Sequence, residues 1–97
     1  MKTLEEIKGI LSSRKPLIMS RFKVKKISIF GSLVRGENTE PSDIDLLVEF
    51  SEPIGLFAFM DLEEYLQEIL GAEVDLVSRK ALKPRIGEHI LREAVPI

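Results

Sequence analysis

The chain has 97 residues, a formal net charge of −2 and an isoelectric point near 5.5. This length fits one domain, residues 1–97, and is too short for two. The slight acidity disfavours direct nucleic-acid binding, which needs a basic surface. Because the chain contains no cysteine, disulfides, zinc–thiolate sites and cysteine nucleophiles are excluded.

The N-terminal region has neither the pattern of a signal peptide nor that of a membrane span. Lys8, Arg14 and Lys15 interrupt its apolar residues. No segment approaches the roughly 18 consecutive apolar residues that a membrane-spanning helix needs. We therefore expect a cytoplasmic protein.

The first half of the chain predicts a helix, a strand and a short helix. The first helix is expected from residue 3 to about residue 14, with Pro16 at its end or at a bend. Alternation of apolar and polar side chains predicts a strand over Val24–Phe30. Gly31 breaks this pattern, and a short helix is expected over Ser32–Arg35.

The second half predicts two further strands, each followed by a helix. Asp43–Phe50 alternates in the manner of a strand. A helix from residue 57 to about residue 70 is followed by Gly71, a suitable C-cap. The third strand is expected over Val74–Val77, and a last helix begins at Pro84. This order predicts an α/β (α+β) fold, a small mixed sheet with helices packed on one face.

The apolar C-terminal segment, residues 94–97, admits two interpretations. It suits an interface with a partner, because the sheet is expected to have exposed strand edges. It equally suits a tail that docks on the core. The oligomeric state stays open on this evidence.

Three aspartates point to chemistry. Asp43 and Asp45 are two residues apart on a strand, so their side chains emerge on the same face. Carboxylates this close repel each other unless a cation lies between them, and their oxygens suit Mg²⁺. Asp75 interrupts an apolar strand whose neighbouring residues point to the opposite face. Three such carboxylates can hold two metal ions about 4 Å apart for in-line phosphoryl displacement. The alternative for the Asp-x-Asp pair alone is solvated charge at a strand end.

The turn after the first strand suits a phosphate group. A strand that ends in Gly31 and Ser32 and turns into a helix exposes backbone N–H groups, and a helix N-terminus attracts anions. The Ser32 hydroxyl can donate to a phosphate oxygen. Arg35 can bind phosphate through its planar guanidinium, or it can pair with Glu37 or Asp43. A Gly-Ser turn alone is common. It indicates a phosphate site here only because a strand precedes it and the Asp-x-Asp pair follows it.

Two segments together resemble the minimal nucleotidyltransferases of the DNA polymerase β superfamily. They are residues 31–37, Gly-Ser-Leu-Val-Arg-Gly-Glu, and residues 42–46, Ser-Asp-Ile-Asp-Leu. Residues 73–77, Glu-Val-Asp-Leu-Val, resemble the strand that carries the third aspartate of that family. Val34 stands where alanine is usual, which changes packing and not ligands. The resemblance covers nearly the whole chain.

The resemblance implies a polymerase-β-like palm that uses two Mg²⁺ ions and a nucleoside triphosphate, usually ATP. It implies that Gly31 and Ser32 hold the triphosphate, and that Asp43 and Asp45 bind both metal ions. Asp75 would bind the catalytic metal and help to activate the acceptor hydroxyl. Chains of this size look like the MNT antitoxins encoded beside HEPN-domain ribonuclease toxins. Such antitoxins transfer AMP to a tyrosine of the toxin and bind it, so we expect a protein adenylyltransferase in a hetero-oligomer.

Two alternatives remain open on the sequence alone. A non-enzymatic module could bind nucleotide and neutralise its partner by occlusion. A nucleotidyltransferase could instead act on a small molecule, such as an aminoglycoside, or on tRNA. Enzymes of the latter kind normally carry an added substrate domain, which this sequence lacks.

Overall fold

The computed structural model of the protein describes residues 3–36 and 44–97. Its elements alternate as predicted, with one additional strand at the end. They are α1 (Leu4–Phe22), β1 (Val24–Phe30), α2 (Ser32–Arg35), β2 (Ile44–Phe50), α3 (Leu56–Leu70), β3 (Val74–Ser78), a 3₁₀ turn (Arg79–Ala81), α4 (Pro84–Glu93) and β4 (Val95–Pro96). None of the helices in this described part is long and apolar enough to cross a membrane.

The strands form one mixed sheet in the order β3-β2-β1-β4. β1 pairs antiparallel with both β2 and β4, whereas β2 and β3 are parallel. The parallel pair requires a crossover connection, and α3 provides it. The predicted mixed sheet is therefore confirmed.

The hydrophobic core lies between one face of the sheet and the helices α1 and α3. Strand side chains point into it alternately, as expected from their period of two, except at a register shift between Val24 and Lys26 of β1. Its buried members include Ile7, Leu11 and Ile18 of α1, Leu62, Leu66 and Leu70 of α3, and Ile27, Ile29, Ile44, Leu46, Val48, Val74 and Leu76 of the sheet. The remaining strand positions face the other side, which we call the open face.

Two predicted helix caps are confirmed. Thr3 forms a capping box with Glu6, in which each side chain accepts the other residue's backbone N–H at 3.2 Å. Gly71 adopts a φ of +63° and donates its N–H to the carbonyl of Gln67 at 2.9 Å. Thr3 therefore caps the start of α1, and Gly71 caps the end of α3.

The predicted end of the first helix near residue 14 is wrong. The helix runs through Pro16 and ends only at Phe22. Ile18 and Phe22 bury their side chains in the same core as Ile7 and Leu11. The free energy gained by this burial offsets the cost of the helical hydrogen bond that is lost because proline has no N–H group.

The C-terminal segment docks on the sheet, which confirms the second of its two interpretations. Residues 95–96 pair with residues 28–29 of β1 as the edge strand β4. Ile97 then donates its N–H to the carbonyl of Ile27 at 3.0 Å and accepts a hydrogen bond from Lys15 Nζ at 2.8 Å. A two-residue strand is too short to show a period in the sequence, so it was not predicted.

Replacing Pro16 by alanine is expected to raise the free energy of unfolding by about 1–2 kcal/mol. Alanine restores an N–H to the helix interior, where proline costs about 3 kcal/mol, while the unfolded chain becomes somewhat less restricted. Urea denaturation would measure the change. The control is Arg14→Ala, an exposed change on the same helix that should alter stability by less than about 0.5 kcal/mol. A Pro16→Ala variant no more stable than the parent would contradict the expected cost of this proline.

Candidate active site

Two of the predicted carboxylates lie opposite each other on the parallel strands β2 and β3. Asp45 is the register partner of Asp75. Their strand neighbours Ile44 and Val74 are buried in the core, so both carboxylates emerge on the open face. Neighbouring strands are about 4.8 Å apart, which brings the two side chains within reach of a shared cation. The predicted juxtaposition of these two residues is therefore observed.

The third predicted carboxylate, Asp43, lies outside the described residues, as does Glu37. Within residues 3–36 and 44–97, no group of three or more His, Cys, Asp or Glu side chains could hold a metal ion. The cluster of three carboxylates thus stays a prediction. It depends on Asp43, which directly precedes the first residue of β2.

Gly31 lies directly against the Asp45 carboxylate. Phe30 is the register partner of Asp45, so the end of β1 brings the next residue beside it. Gly31 has φ +84° and ψ −157°, a backbone conformation that is essentially restricted to glycine. A Cβ atom at this position would overlap Asp45 Oδ2. The predicted phosphate turn and a predicted metal ligand are therefore adjacent.

The turn leads at once into the predicted short helix α2. The carbonyl of Gly31 accepts the N–H groups of Val34 at 3.1 Å and Arg35 at 3.3 Å. Ser32 is the first helical residue and is half-buried, and Gly36 ends the helix with φ +73°. A helix of four residues is not stable in isolation. Its position must therefore depend on β1 and on the contacts of its side chains.

Arg35, a predicted phosphate ligand, contacts a residue that the sequence did not reveal. Its Nη1 donates to Glu93 Oε1 at 2.5 Å. Glu93 is the last residue of α4, and its side chain is only 12% exposed. Local sequence patterns could not find this pair, because 58 positions separate the two residues. The partners considered from the sequence, Glu37 and Asp43, both lie outside the described residues.

A groove of about 210 Å³ continues along the open face from the carboxylates. Strand register gives two rows of open-face side chains, Phe30–Asp45–Asp75 and then Ser28–Leu47–Val77. Such rows are about 7 Å apart. The groove starts at the second row, and α4 and its C-cap contribute one wall. Its lining residues are Lys26, Ser28, Leu47, Glu49, Arg79, Leu91, Ala94 and Pro96.

A larger cavity, of about 500 Å³, lies at the opposite end of the sheet. It is lined by the end of β2, the start of α3 and the turn after β3, including Phe50, Ile54, Phe59 and Arg79. Of the predicted site residues that the structure describes, none lines this cavity.

Residues 4–97 match the protein family described as the nucleotidyltransferase domain. A relative from Thermococcus cleftensis, named protein adenylyltransferase MntA, is 50% identical over 95 residues, which cover 98% of this chain and 96% of the relative. The chain therefore belongs to the nucleotidyltransferase domain family. This confirms the class of enzyme that the sequence motifs predicted.

Solved structures agree with this assignment. One, of a provisionally named minimal nucleotidyltransferase, matches with a TM-score of 0.77 and 38% identity over 94% of this chain and 95% of that chain. A toxin–antitoxin structure with AMP-PNP matches with a TM-score of 0.71 and 22% identity, covering 87% of this chain and 69% of that chain. The structure of a tri-AMPylated Shewanella oneidensis HEPN toxin in complex with MNT antitoxin matches with a TM-score of 0.69 and 20% identity. The match covers 93% of this chain and 70% of that chain. The predicted minimal nucleotidyltransferase fold is confirmed.

Gly31→Ala is expected to prevent nucleotide binding and to lower the free energy of unfolding by about 1–3 kcal/mol or more. The methyl group would displace Asp45, and alanine would be strained at this φ and ψ. Urea denaturation and calorimetric titration with a non-hydrolysable ATP analogue and Mg²⁺ would measure both effects.

The matched control for this change is Gly36→Ala. Gly36 also has a positive φ, but apart from its chain neighbours no atom of residues 3–36 or 44–97 lies within 4 Å of the position of an added Cβ. It should lose about 1–2 kcal/mol from backbone strain alone and keep nucleotide binding. Equal nucleotide affinity of the two variants would show that nucleotide binding does not require the close approach of Gly31 to Asp45.

Proposed function

We propose that the protein is a Mg²⁺-dependent adenylyltransferase that moves AMP from ATP to a tyrosine hydroxyl of a partner HEPN-domain ribonuclease toxin. In this way it would act as an antitoxin. The observation that carries the proposal is the pairing of Asp45 with Asp75 beside Gly31 on the open face. Oxygen ligands for a cation are then adjacent to a turn that suits phosphate. The 50% identity to a relative named protein adenylyltransferase MntA supports AMP as the transferred group.

The proposed reaction breaks a phosphoanhydride bond of ATP and forms a phosphate ester bond to the acceptor. The acceptor hydroxyl oxygen would attack the α-phosphorus of ATP, and the bond from that phosphorus to the bridging oxygen would break. Pyrophosphate would leave, and the hydroxyl would lose its proton. Gly31 and Ser32 would hold the triphosphate. Asp75, exposed on the outermost strand β3, would accept a hydrogen bond or the proton from the acceptor hydroxyl.

The donor chemistry of the site fits Mg²⁺. This cation prefers oxygen ligands and commonly binds carboxylates together with substrate phosphates. Asp45 and Asp75, together with Asp43, are the proposed ligands of two ions. Bound Mg²⁺ would neutralise phosphate charge that these carboxylates otherwise repel. We therefore expect transfer to depend on Mg²⁺.

The groove on the open face supports an acceptor that enters as a single side chain. The groove is small, with a volume of about 210 Å³, and Leu47, Ser28 and Pro96 line it next to the carboxylate row. Its other lining residues include the charged Lys26, Glu49 and Arg79. An aromatic ring over Leu47 would direct its hydroxyl toward Asp75, one row away. This arrangement favours tyrosine over a large polar acceptor such as an aminoglycoside or tRNA.

A HEPN toxin as the partner is supported by the solved MNT antitoxin that is bound to a tri-AMPylated HEPN toxin and shares this fold. The AMP-PNP in another toxin–antitoxin structure supports ATP as the donor. We also propose that the protein acts in the cytoplasm, where ATP and the RNA substrates of such a toxin coexist. A hetero-oligomer of the two proteins follows from this proposal.

A second candidate function is neutralisation by binding alone. Leu56, Phe57 and Met60 are exposed large apolar residues on one face of the first turns of α3. An exposed apolar patch of this kind favours contact with another protein. The second candidate requires nucleotide binding and occlusion, without transfer.

Asp45→Asn and Asp75→Asn are expected to lower AMP transfer by about 100-fold or more, because each removes a charged ligand of the Mg²⁺ ions that would stabilise the reacting phosphates. Purified partner toxin would be incubated with α-labelled ATP and Mg²⁺, and label on the toxin would be counted. Chelation of Mg²⁺ should have the same effect on the parent protein. Glu68→Gln, at an exposed position near the C-terminal end of α3, is the control and should transfer normally.

The outcomes of this labelling separate the candidate functions. Label on a toxin tyrosine that needs Mg²⁺, Asp45 and Asp75 would support the proposal. Full protection of cells by both aspartate variants, without label on the toxin, would favour occlusion. Label on RNA or on small molecules instead of protein would favour the other class of transferase.

Filling the groove is expected to impair transfer to the toxin selectively. Leu91→Trp would place a larger side chain in the groove wall and lower transfer about tenfold or more by displacing the acceptor. Affinity for an ATP analogue should be unchanged. The control is Ile86→Trp, on the same helix but outside the groove, where the side chain is 59% exposed. Equal transfer by both variants would mean that the acceptor binds elsewhere.

A further inference from the structure

The ion pair between Arg35 and Glu93 connects the phosphate turn to the last helix. Arg35 is the final residue of α2, four positions after Gly31, and its side chain is 44% exposed. Glu93 has a side chain that is only 12% exposed and accepts from Arg35 Nη1 at 2.5 Å. Hydrogen bonds between charged groups are stronger than those between neutral groups. This bond therefore restricts where the guanidinium can lie.

The backbone holds Glu93 in place from both sides. On its N-terminal side it belongs to α4, which ends as the N–H of Ala94 donates to the carbonyl of Ile90 at 2.9 Å. On its C-terminal side β4 begins two residues later and pairs with residues 28–29 of β1. The same strand β1 ends at Phe30, directly before the phosphate turn. Glu93 is thus fixed relative to the strand that carries the turn.

Arg35 has no comparable support from its own backbone. The four-residue helix that carries it is too short to be stable alone. A free arginine side chain has about 2 kcal/mol of rotamer entropy to lose when it orders on a ligand. A partner that already orders the guanidinium lowers the cost of binding phosphate.

We propose that Glu93 is a positioning residue that holds the Arg35 guanidinium beside the Gly31–Ser32 turn, where Arg35 contacts the triphosphate of ATP. The inference rests on the proposed function only in taking ATP with Mg²⁺ as the ligand. In this proposal Glu93 would contact neither the phosphates nor the acceptor. It acts through Arg35.

The charge of Glu93 and its position have opposite effects on nucleotide affinity. As an anion near the site, Glu93 repels phosphate, so its removal alone would strengthen binding. As a holder of Arg35 it strengthens binding, so its removal would weaken it. Glutamine loses the charge but keeps an oxygen that accepts a hydrogen bond from the guanidinium, whereas alanine loses both. The two replacements therefore separate the two effects.

The experiment is calorimetric titration of the full chain with a non-hydrolysable ATP analogue and Mg²⁺. We expect Glu93→Ala to weaken binding about five- to tenfold, and Glu93→Gln to bind within about twofold of the parent. Glu88→Ala, an exposed carboxylate change on the same helix, is the control and should bind as the parent does. Thermal unfolding of each variant would be recorded beside the titration.

The double variant Arg35→Ala with Glu93→Ala tests whether Glu93 affects nucleotide affinity through Arg35. If Glu93 acts through Arg35, its replacement should cause no further loss of affinity once Arg35 is absent. Additive losses, or parent-like or tighter binding by Glu93→Ala, would overturn the inference. If Glu93→Ala does not fold, the same cycle with Glu93→Gln and Glu93→Asp decides. In that cycle, a loss of affinity that persists without Arg35 counts against it.

Nucleotide binding and AMP transfer are measured separately, so the inference and the proposed function can fail independently. If the parent protein binds the analogue but labels no partner, the proposed adenylyl transfer is wrong. The role of Glu93 is then still decided by the measured affinities of its variants. A parent that labels the toxin, with unchanged analogue affinity in Glu93→Ala, would support transfer and overturn the role of Glu93.

Discussion

The parallel register between β2 and β3 is the constraint on which the site depends. It pairs Asp45 with Asp75, and it pairs the buried Ile44 with Val74 and Leu46 with Leu76. A slip by one residue would turn an entire set of side chains to the other face. The slip would bury a carboxylate without a partner, at a cost of several kcal/mol. The same apolar contacts therefore stabilise the fold and hold the two carboxylates together.

The antiparallel pairing of β1 with β2 provides the second half of the arrangement. It places Phe30 across from Asp45, and the chain leaves the sheet at the next residue. Because Gly31 has no side chain, the backbone can turn there against the carboxylate. The proposed phosphate turn and the proposed cation ligands thus come from strands that are neighbours in the sheet. Neither strand alone contains the site.

The sequence predicted those features that have a local period or a local signature. The alternation of Ile44, Leu46 and Val48 gave the correct face of β2, and Asp75 stood out because it interrupts an apolar strand. Pro16 was misread, since a local rule about proline was overruled by the burial of Ile18 in the core. Tertiary packing of this kind has no signal within a short window of sequence.

Contacts between distant residues were beyond sequence reasoning for a different reason. Arg35 was correctly singled out, yet its described partner Glu93 is 58 positions away and looks like any charged residue of a surface helix. Strand β4 contributes only two residues, and its position follows from a free edge of β1 rather than from its own composition. Such partners are fixed by topology, which becomes readable only when the strand order is known.

Strand β3 is an outermost strand of the sheet, and Asp75 lies within it. Unpaired N–H and C=O groups of an edge strand attract strands from other chains, and a charged side chain on the edge opposes such aggregation. Asp75 therefore has a protective effect that does not depend on catalysis. The proposed chemistry and the protection of a sheet edge would then depend on the same carboxylate, and removing its charge is expected to favour self-association.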